Sequence, residues 1–269
     1  MASLDEFSRE QAILTALRSS GRVSVGDLAA RLGVSTVTVR KDLDALERRS
    51  LLTRVRGGAV GVGASDEGAF EMRLRDSRES KQAIAKAAAA LVHDGDVIAI
   101  DSSTTTFYLA REILDRRNLI VVTNGLRLAM LLMEQSSARV LVLGGMMRRS
   151  AGSVVGPIGD VLSSRGRIGK GFFGLVGLST THGLMDISVD EAHTKRSIAR
   201  SCTEIYGLFD SSKVQGFGLH AFAGADEITA LYTDGNASQE FVNHWKQVDV
   251  PVIAVPSDPH DPGSSSRCD

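Results

Sequence analysis

The stretch VSTVTVRKDLDAL, from Val34 to Leu46, has the apolar spacing of a helix, yet it opens with β-branched and hydroxylated residues that are mediocre helix formers. Val39, Leu43 and Leu46 recur at intervals of four and three, so one face is predicted to enter a core. Ser35 has the position of an N-cap. The remaining first-turn residues lie off the apolar face, where methyl and hydroxyl groups can contact the thymine methyls and phosphates of a duplex. The stretch therefore predicts a DNA-recognition helix.

Two shorter helices are predicted before this one. Ser8-Arg-Glu-Gln11 has capping-box spacing and opens the first, which ends at Ser19-Ser20-Gly21. Ser24 opens the second, and Gly33 ends it as a left-handed C-cap. The short turn that follows is that of a helix-turn-helix, in which the start of the last helix reads the major groove. The candidate DNA contacts on that helix are Ser35, Thr36, Val37, Thr38, Arg40 and Lys41.

A β-ribbon is predicted directly after the third helix. LLTRVRGGAV, residues 51–60, alternates apolar and basic residues and breaks at Gly57-Gly58. A ribbon that carries Arg54 and Arg56 beside a recognition helix makes a winged helix-turn-helix, and both arginines are candidate DNA contacts. The alternative is a surface-charged three-helix bundle without a ligand.

The charge of the 269-residue chain is unevenly distributed. Residues 8–60 hold ten Lys and Arg against five Asp and Glu, a balance of +5, so the remainder carries −6 to give the net −1. A small basic module on a larger acidic body indicates that only the small part meets a polyanion. Cys202 and Cys268 give no disulfide framework, and no apolar run reaches the roughly 18 residues that span a bilayer. We expect a cytoplasmic protein that makes no contact with a membrane.

Apolar strands alternate with helices over residues 75–255. A long helix is predicted from about Met72 to Val92, and DVIAIDSSTTTFYLARE then gives a strand at 96–100, a hydroxyl-rich turn and a helix. LIVVTNGLRLAMLLME repeats this order, and further strands are predicted in RVLVLGG, KGFFGLVGLS, EIYGLFD, EITALYTD and DVPVIAV. Such a pattern predicts an α/β domain with a mostly parallel sheet covered on both faces. The predicted divisions are a winged helix-turn-helix at 1–60, a linker at 61–74, the α/β domain at 75–255 and a tail of disorder-like composition at 256–269.

Polar residues follow the predicted strands at their carboxyl ends, where ligands of parallel sheets gather. They are Asp101 to Thr105 after the first strand, Thr123-Asn124-Gly125 after the second, Gly144-Gly145 after the third and Asp210 to Lys213 after a later one. Hydroxyls and backbone N–H groups at a helix N-terminus form an anion site, and Lys213 supplies a cation, so a phosphate suits this rim. Helix capping alone would also explain any one of the hydroxyls.

Motifs for nucleotides and metals are missing from the sequence. No Gly-x-Gly-x-x-Gly follows the first strand and no Gly-Lys-Ser/Thr loop occurs, which argues against dinucleotides and nucleoside triphosphates. The histidines are scattered without the spacing of metal ligands. We therefore expect neither a cofactor nor a metal ion.

The sequence resembles the DeoR family of bacterial transcriptional regulators, and most of all its glycerol-3-phosphate-repressor branch, from about Glu10 to Val255. The most specific match is SVGDLAARLGVSTVTVRKDLDALERRSLLTRVRGGAV, and DSSTTTFYLA, VVTNG, LGG, KGFFGLVGLS, GLMDISVDEAHTKR and FDSSKV add to it. The resemblance implies a sensor similar to the ribose-5-phosphate isomerase fold, whose phosphorylated sugar or related metabolite changes operator affinity. It assigns effector binding to Asp101, Ser102, Ser103, Thr104, Thr105, Asn124, Gly145, Glu191, Lys195 and Lys213.

The leading hypothesis is a repressor of a sugar or polyol catabolism operon, with double-stranded operator DNA and a sugar phosphate as its partners. One winged module covers only a half-site, so a homodimer or homotetramer is expected. The first alternative is a sugar-phosphate isomerase in which Asp101 or Glu191 acts as a base beside Lys213. The second is a metabolite-binding scaffold that never touches DNA, which the +5 charge of residues 8–60 opposes. We expect a regulator without catalytic residues.

Overall fold

The computed structural model describes residues 6–20, 22–48, 52–61, 70–156, 168–214, 216 and 218–256. The chain divides into two compact units, of which the first comprises Met1–Arg75 with Arg148–Gly152 and the second comprises Asp76–Met147 with Ser153–Asp269. Within the described ranges, no helix combines the length and the apolar character that crossing a bilayer requires.

The first unit is a winged helix-turn-helix followed by a short fourth helix. Its helices are α1 (Glu6–Ser20), α2 (Val25–Leu32), α3 (Thr36–Arg48) and α4 (Phe70–Arg75). Its strands β1 (Arg22–Ser24), β2 (Leu52–Val55) and β3 (Gly58–Gly61) form an antiparallel sheet in the order β1-β3-β2. The β2-β3 ribbon is the predicted wing. Strand β1, which is only three residues long, was not predicted.

The helix boundaries of this unit follow the predicted capping signals, with one exception. The Ser24 side chain accepts a hydrogen bond from the Asp27 N–H, and Gly33 ends α2 with a left-handed φ of 67°. Val39, Leu43 and Leu46 are fully buried in one apolar cluster with residues of α1 and α2. The prediction that Ser8 opens α1 is wrong, because α1 already includes Glu6. Of the predicted tail at 256–269, residues 257–269 lie outside the described residues, as does most of the predicted linker at 61–74. Helix α4 occupies the end of that linker.

A buried ion pair fixes α3 against α1. Arg9 donates from Nε to Asp42 Oδ2 at 2.8 Å and from Nη2 to Asp42 Oδ1 at 3.0 Å. The Asp42 side chain is 5% exposed and that of Arg9 is 12% exposed, so the pair is largely shielded from water. A bidentate arginine–carboxylate pair of this kind holds a defined geometry as well as contributing energy.

We expect Asp42→Ala to lower the free energy of unfolding of the first unit by about 1–2 kcal/mol, because charged hydrogen bonds are lost while Arg9 retains some access to water. Urea denaturation of the full chain followed by circular dichroism measures this change. Arg31→Ala removes an exposed charge from the last turn of α2 and serves as the control. Equal stability of wild type and Asp42→Ala would contradict a structural role for the pair.

The second unit is built on a seven-stranded sheet. Its strands are β4 (Val97–Ile100), β5 (Ile120–Thr123), β6 (Arg139–Val142), β9 (Ile168–Phe173), β12 (Cys202–Leu208), β14 (Ala230–Asp234) and β15 (Val252–Val255). Their order in the sheet is β15-β14-β12-β9-β4-β5-β6, and every neighbouring pair is parallel. Its helices are α5 (Arg78–Ala89), α6 (Thr104–Glu112), α7 (Leu126–Gln135), α8 (Val189–Ala199) and α9 (Gln239–Lys246). The predicted α/β class and parallel sheet are confirmed.

Both faces of the central strands are buried, as the near-continuous apolar runs require. Ala99 of β4 belongs to a cluster that contains residues of α8 and α9, among them Ile198 and Trp245. Because side chains alternate along a strand, the neighbouring Ile98 and Ile100 lie on the opposite face, and both are fully buried. The central strands therefore lie between two apolar layers.

Two sequence predictions for this unit are wrong in detail. The long helix from Met72 to Val92 is two helices, α4 and α5, because the chain breaks at Ser77, whose φ is 49°. KGFFGLVGLS is not one strand, since β9 ends at Phe173 and a separate strand β10 (Gly177–Ser179) follows.

β10 joins β11 (Gly183–Asp186) and β13 (His220–Ala223) in a small antiparallel sheet, and β7 (Met146–Arg148) pairs with β8 (Ser153–Val155). These short strands have too few residues to show a period of two.

Candidate DNA-recognition surface and effector site

The N-terminal half of α3 presents a polar and basic surface. Ser35 caps the helix, since its Oγ accepts a hydrogen bond from the Thr38 N–H at 3.1 Å. Thr38 is half-buried, whereas Thr36, Val37, Arg40 and Lys41 are exposed. Val37 is 57% exposed, and a thymine methyl group is the contact in a duplex that would cover such a side chain. Of the six residues predicted to contact DNA, five are therefore exposed and Thr38 is half-buried.

The two arginines of the wing differ in their surroundings. Arg54 Nε lies 2.9 Å from Asp44 Oδ1, and its Nη1 donates to the Gly58 carbonyl at 2.9 Å. The Arg54 N–H donates to Glu47 Oε1 at 2.7 Å, so Arg54 ties the wing to the end of α3. This was not expected of Arg54, which the sequence suggested as a contact to DNA. Arg56 lies in the exposed turn of the ribbon and is available to a phosphate.

In the second unit, the strand order gathers the predicted effector residues along one edge. β12, β9, β4 and β5 are consecutive neighbours and parallel, so their carboxyl ends lie side by side. The segments that follow these strands begin at Phe209, Gly174, Asp101 and Asn124, respectively. This edge, called the rim below, is where a parallel sheet is expected to bind its ligand.

Asp101 is the most enclosed carboxylate of the rim. Its Oδ1 accepts hydrogen bonds from the Ser103 N–H at 3.1 Å and from Thr106 Oγ1 at 2.7 Å. Its Oδ2 accepts the Gly174 N–H at 3.0 Å and lies 3.0 Å from Lys195 Nζ. A carboxylate has about four acceptor sites, so these contacts satisfy Asp101 completely.

Lys195 is equally engaged. Its ammonium donates to Asp186 Oδ2 at 2.8 Å and to the Gly174 carbonyl at 3.0 Å, in addition to its contact with Asp101. The ammonium also lies 5.1 Å from the centroid of the Phe222 ring. A lysine has three N–H donors, and three oxygens surround them here. The Lys195 ammonium therefore bridges the carboxylates of Asp101 and Asp186.

A second buried carboxylate, Glu191, joins the ends of β5 and β8. Ser153 donates to Glu191 Oε1 at 2.5 Å, and Asn124 Nδ2 donates to Glu191 Oε2 at 3.1 Å and to the Val154 carbonyl at 3.3 Å. Asn124 Oδ1 is buried and has no hydrogen-bond partner among the described residues. Buried acceptors are rarely left unpaired, so this oxygen is suited to a hydroxyl of a ligand. Gly145, with a φ of 141°, packs against Val155, because a Cβ there would lie 2.4 Å from the Val155 carbonyl oxygen.

The first turn of α6 supplies backbone donors at the same rim. Ser103 is the N-cap, and its Oγ accepts the Thr106 N–H at 3.3 Å, so capping accounts for this hydroxyl. Ser102, Thr104 and Thr105 are buried around the turn. The first N–H groups of a helix have no partner within the helix and favour an anion.

Lys213 differs from Lys195 in having no charged partner. It ends the 3₁₀ turn Ser211–Lys213, and its side chain makes no hydrogen bond or ion pair with any residue in the described ranges. The turn is followed by Gly216, which packs so closely on Val176 that a Cβ would lie 2.0 Å from the Val176 carbonyl oxygen. A cavity of about 210 Å³ opens beside the turn and is lined by Ser211, Ser212, Val214, Asn236, Ala237 and Ser238.

Comparison with known families accounts for both units. Residues 9–63 match the DeoR-like helix-turn-helix domain, and residues 76–235 match the DeoR C terminal sensor domain. The chain belongs to the DeoR family of transcriptional repressors. It is 31% identical over 250 residues to a putative aga operon transcriptional repressor of Escherichia coli O157:H7, covering 92% of this chain and 93% of that one.

Other DeoR-family relatives are similarly distant. The chain is 33% identical over 238 residues to a lactose phosphotransferase system repressor of Staphylococcus epidermidis, with 87% of this chain and 94% of the relative covered. It is 28% identical over 254 residues to the glycerol-3-phosphate regulon repressor of Escherichia coli K12, with 92% and 100% covered. Among solved structures it is similar to a D-ribose-5-phosphate isomerase in complex with phospho-erythronic acid, with 17% identity, 51% and 54% coverage and a TM-score of 0.39.

Sequence reasoning missed several residues of this DeoR-family site. Asp186 holds Lys195, Ser153 holds Glu191, and Gly174 contacts both Asp101 and Lys195. Asp186 and Lys195 are 9 positions apart in the chain, Ser153 and Glu191 are 38 apart, and Asp101 and Gly174 are 73 apart. No local spacing in the sequence therefore indicates these contacts. The one available signal was Ser188, which caps α8 by accepting the Glu191 N–H and so fixes where α8 starts at the rim.

Proposed function

We propose that this protein represses a sugar or polyol catabolism operon by binding operator DNA through α3 and the wing, and that a phosphorylated sugar at the rim changes its operator affinity. The observation that carries the proposal is the exposed polar and basic surface of α3, which is mounted on a fully buried apolar face. Several of its DeoR-family relatives are named as repressors of sugar-related operons. The protein has no catalytic role in this proposal.

The rim offers two kinds of contact to such an effector. Asp101, Asp186 and Glu191 are buried here, and the Lys195 ammonium lies against the first two, so this part of the rim is rich in carboxylate oxygens. Carboxylate oxygens and the unpaired Asn124 Oδ1 accept hydrogen bonds, and sugar hydroxyls donate them. We assign the hydroxyl-bearing part of the effector to these acceptors.

The phosphate requires N–H donors and positive charge. The first-turn N–H groups of α6 favour an anion, and the Lys213 ammonium is not neutralised by a carboxylate in the described ranges. Lys195 is excluded from this task, because its three donors are already taken. Of the two lysines that sequence analysis assigned to the effector, Lys213 is therefore the one that we assign to the phosphate.

The rival isomerase function needs a carboxylate that can accept a proton from a substrate. Asp101 does not meet this need, since four protein donors occupy its acceptor sites. Glu191 Oε1 accepts a hydrogen bond from Ser153, and Oε2 accepts one from Asn124. These contacts favour a site that holds its ligand and does not transform it.

A thermal-shift screen over sugar phosphates tests the effector assignment. A ligand present at about 100 times its dissociation constant is expected to stabilise the protein by about 2.7 kcal/mol, which raises its Tm by several degrees. The same sugar without its phosphate is expected to give a much smaller shift at equal concentration. A library that contains aldose, ketose and polyol phosphates and produces no shift would contradict the sugar-phosphate assignment.

Lys213→Ala is expected to abolish the response of DNA binding to that effector while leaving operator affinity without effector nearly unchanged, because Lys213 is not in the DNA-binding unit. Fluorescence anisotropy with a duplex selected from a random library by the wild-type protein measures both quantities. Lys246→Ala, which removes an exposed lysine of α9, is the matched control. An unaltered effector response in Lys213→Ala would exclude Lys213 as the phosphate ligand.

A further inference from the structure

One segment of the second unit concentrates exposed apolar side chains. Six of the eleven large hydrophobic residues that are exposed in the described part of the chain fall within residues 130–147. They lie on the consecutive elements α7, β6 and β7 and are Met130, Met133, Leu141, Val142, Met146 and Met147. Soluble proteins rarely expose such a concentration without a partner. We call these six residues and the outer edge of β6 the β6 surface.

The central feature of this surface is an open sheet edge. β6 ends the seven-stranded sheet, and β5 is its one neighbour among the described strands. Leu141 and Val142 point to opposite faces of the strand, yet they are 39% and 40% exposed. Both faces of the strand are therefore incompletely covered, as well as its outer edge. Open edges are ready templates for strand pairing.

The hydrogen bonds to β5 show which backbone groups of β6 point outward. The N–H groups of Arg139 and Leu143 donate to carbonyls of Leu119 and Thr123, both at 2.9 Å. Backbone groups alternate in direction along a strand, so Leu141 also faces β5, whereas the N–H and C=O groups of Val140 and Val142 face away from the sheet. The outer edge of β6 thus presents the N–H and C=O groups of Val140 and of Val142, on either side of Leu141.

We propose that the β6 surface binds a second copy of this chain, with the two β6 strands antiparallel across a two-fold axis at Leu141. In this register Val140 of one protomer lies opposite Val142 of its partner, and each such pair exchanges two N–H···O bonds. The outward N–H and C=O groups of Val140 and Val142 on one strand are thus complementary to the same groups on the second copy. Pairing joins the two seven-stranded sheets into one continuous sheet.

A second copy is the occupant that the remaining properties of the surface favour. The six exposed side chains offer on the order of 600 Å² per protomer, which approaches the roughly 800 Å² per partner of a standard interface once the edge backbone is added. A two-fold interface uses the same patch on both protomers, and four methionines adapt well to such packing. The inference rests in part on the proposed function, because one winged module reads only a half-site of an operator.

Cysteine cross-linking tests the register. In the proposed pairing the two Leu141 residues face each other in a non-hydrogen-bonded pair, with Cα atoms about 4.5 Å apart, a distance that a disulfide spans. Leu141→Cys is therefore expected to cross-link as a dimer under mild oxidation, whereas Val140→Cys, which lies opposite Val142, is expected to cross-link several-fold less. Both variants carry Cys268→Ser. Cys202 needs no replacement, because burial raises the pKa of its thiol to about 12 and keeps it unreactive. Cross-linking that is absent at Leu141, or equal at the two positions, would overturn the proposed register.

Charge substitution tests the surface without touching the core. Met146 and Met147 are 74% and 72% exposed, so Met146→Lys with Met147→Lys is expected to preserve the fold while raising the dimer dissociation constant about tenfold or more. Analytical ultracentrifugation of the full chain measures that constant. Val248→Lys changes an exposed apolar residue outside the surface and is expected to leave it unchanged. A wild-type chain that stays monomeric, or a double variant that dimerises as well as wild type, would overturn the proposal.

Different results would contradict the proposed function and the β6 interface. If the chain dimerises through this surface but binds no duplex DNA, the proposed function is wrong and the interface stands. If the chain binds an operator as a dimer while the cross-linking and charge variants behave like their controls, the operator function stands and the β6 surface is wrong.

Discussion

Lys195→Met is expected to lower the free energy of unfolding of the second unit by about 3–5 kcal/mol, because it leaves two buried carboxylates without their shared cation. Asp101 and Asp186 are 0% and 1% exposed, so water cannot replace the ammonium. Methionine matches the length and apolar character of the lysine stem. The decrease in the free energy of unfolding therefore measures the loss of the charge and its hydrogen bonds. Adding Asp186→Asn to this variant is expected to recover part of the stability, since it removes one of the two uncompensated charges.

Lys170→Met is the matched control for this prediction. Lys170 Nζ lies 2.7 Å from Asp96 Oδ2, but the two side chains are 20% and 25% exposed, so the expected loss is no more than about 1 kcal/mol. Burial by itself raises the pKa of Asp96, but hydrogen bonds from Lys170 and the His93 N–H outweigh it, and the pKa is lowered. The stabilisation is therefore present above the pKa of an unfolded aspartate, about 3.9, and is lost as the pH falls through the lowered value. Urea denaturation in which Lys195→Met costs no more than Lys170→Met would contradict the structural role of Lys195.

Arg40→Ala is expected to weaken binding to a selected operator by roughly ten- to a hundredfold and to relax the base preference at one position of each half-site. The reason is that an arginine that forks onto a guanine contributes about 1–3 kcal/mol of discrimination. Arg40 is exposed one turn after the start of α3, the part of a recognition helix that reaches base edges. Anisotropy titrations with the selected duplex and with single-base variants of it measure both effects.

Two arginine variants of the same unit separate base reading from general attraction. Arg31→Ala removes an exposed arginine from the last turn of α2 and is expected to leave base preference unchanged. Arg56→Ala in the wing is expected to weaken binding to all sequences alike and to reduce the slope of log affinity against log salt by about 1. Unchanged sequence preference in Arg40→Ala would remove Arg40 from the base contacts.

The winged helix-turn-helix was predictable because its signals are local. Ser24 and Gly33 mark the ends of α2, and Val39, Leu43 and Leu46 show the buried face of α3 within eight positions. Capping and helical periodicity act over a few residues, so one sequence suffices to read them. The parallel sheet was predictable for a similar reason, since strands that are buried on both faces read as continuous apolar runs.

The inner structure of the rim was not predictable, because it depends on pairs that are distant in the chain. The resemblance to the DeoR family implied Lys195 and Glu191 as effector ligands, but their partners Asp186, Ser153 and Asn124 come from different elements of the fold. Arg54 in the wing likewise reaches Asp44, ten positions earlier on α3, and no repeat or spacing marks that pair. Local patterns therefore located the rim and the wing, while tertiary contacts decided which of their charges remain available.

A ligand of the second unit is expected to change the DNA affinity of the first, and a single titration tests this coupling. The full-length protein is titrated against its selected duplex at fixed salt, with and without the sugar phosphate that stabilises it most. We expect tight, sequence-selective binding whose dissociation constant changes at least about fivefold on adding the ligand, the lower end of typical coupling between sites. Binding no stronger than to a random duplex, or an affinity that is identical with and without the ligand, would contradict it.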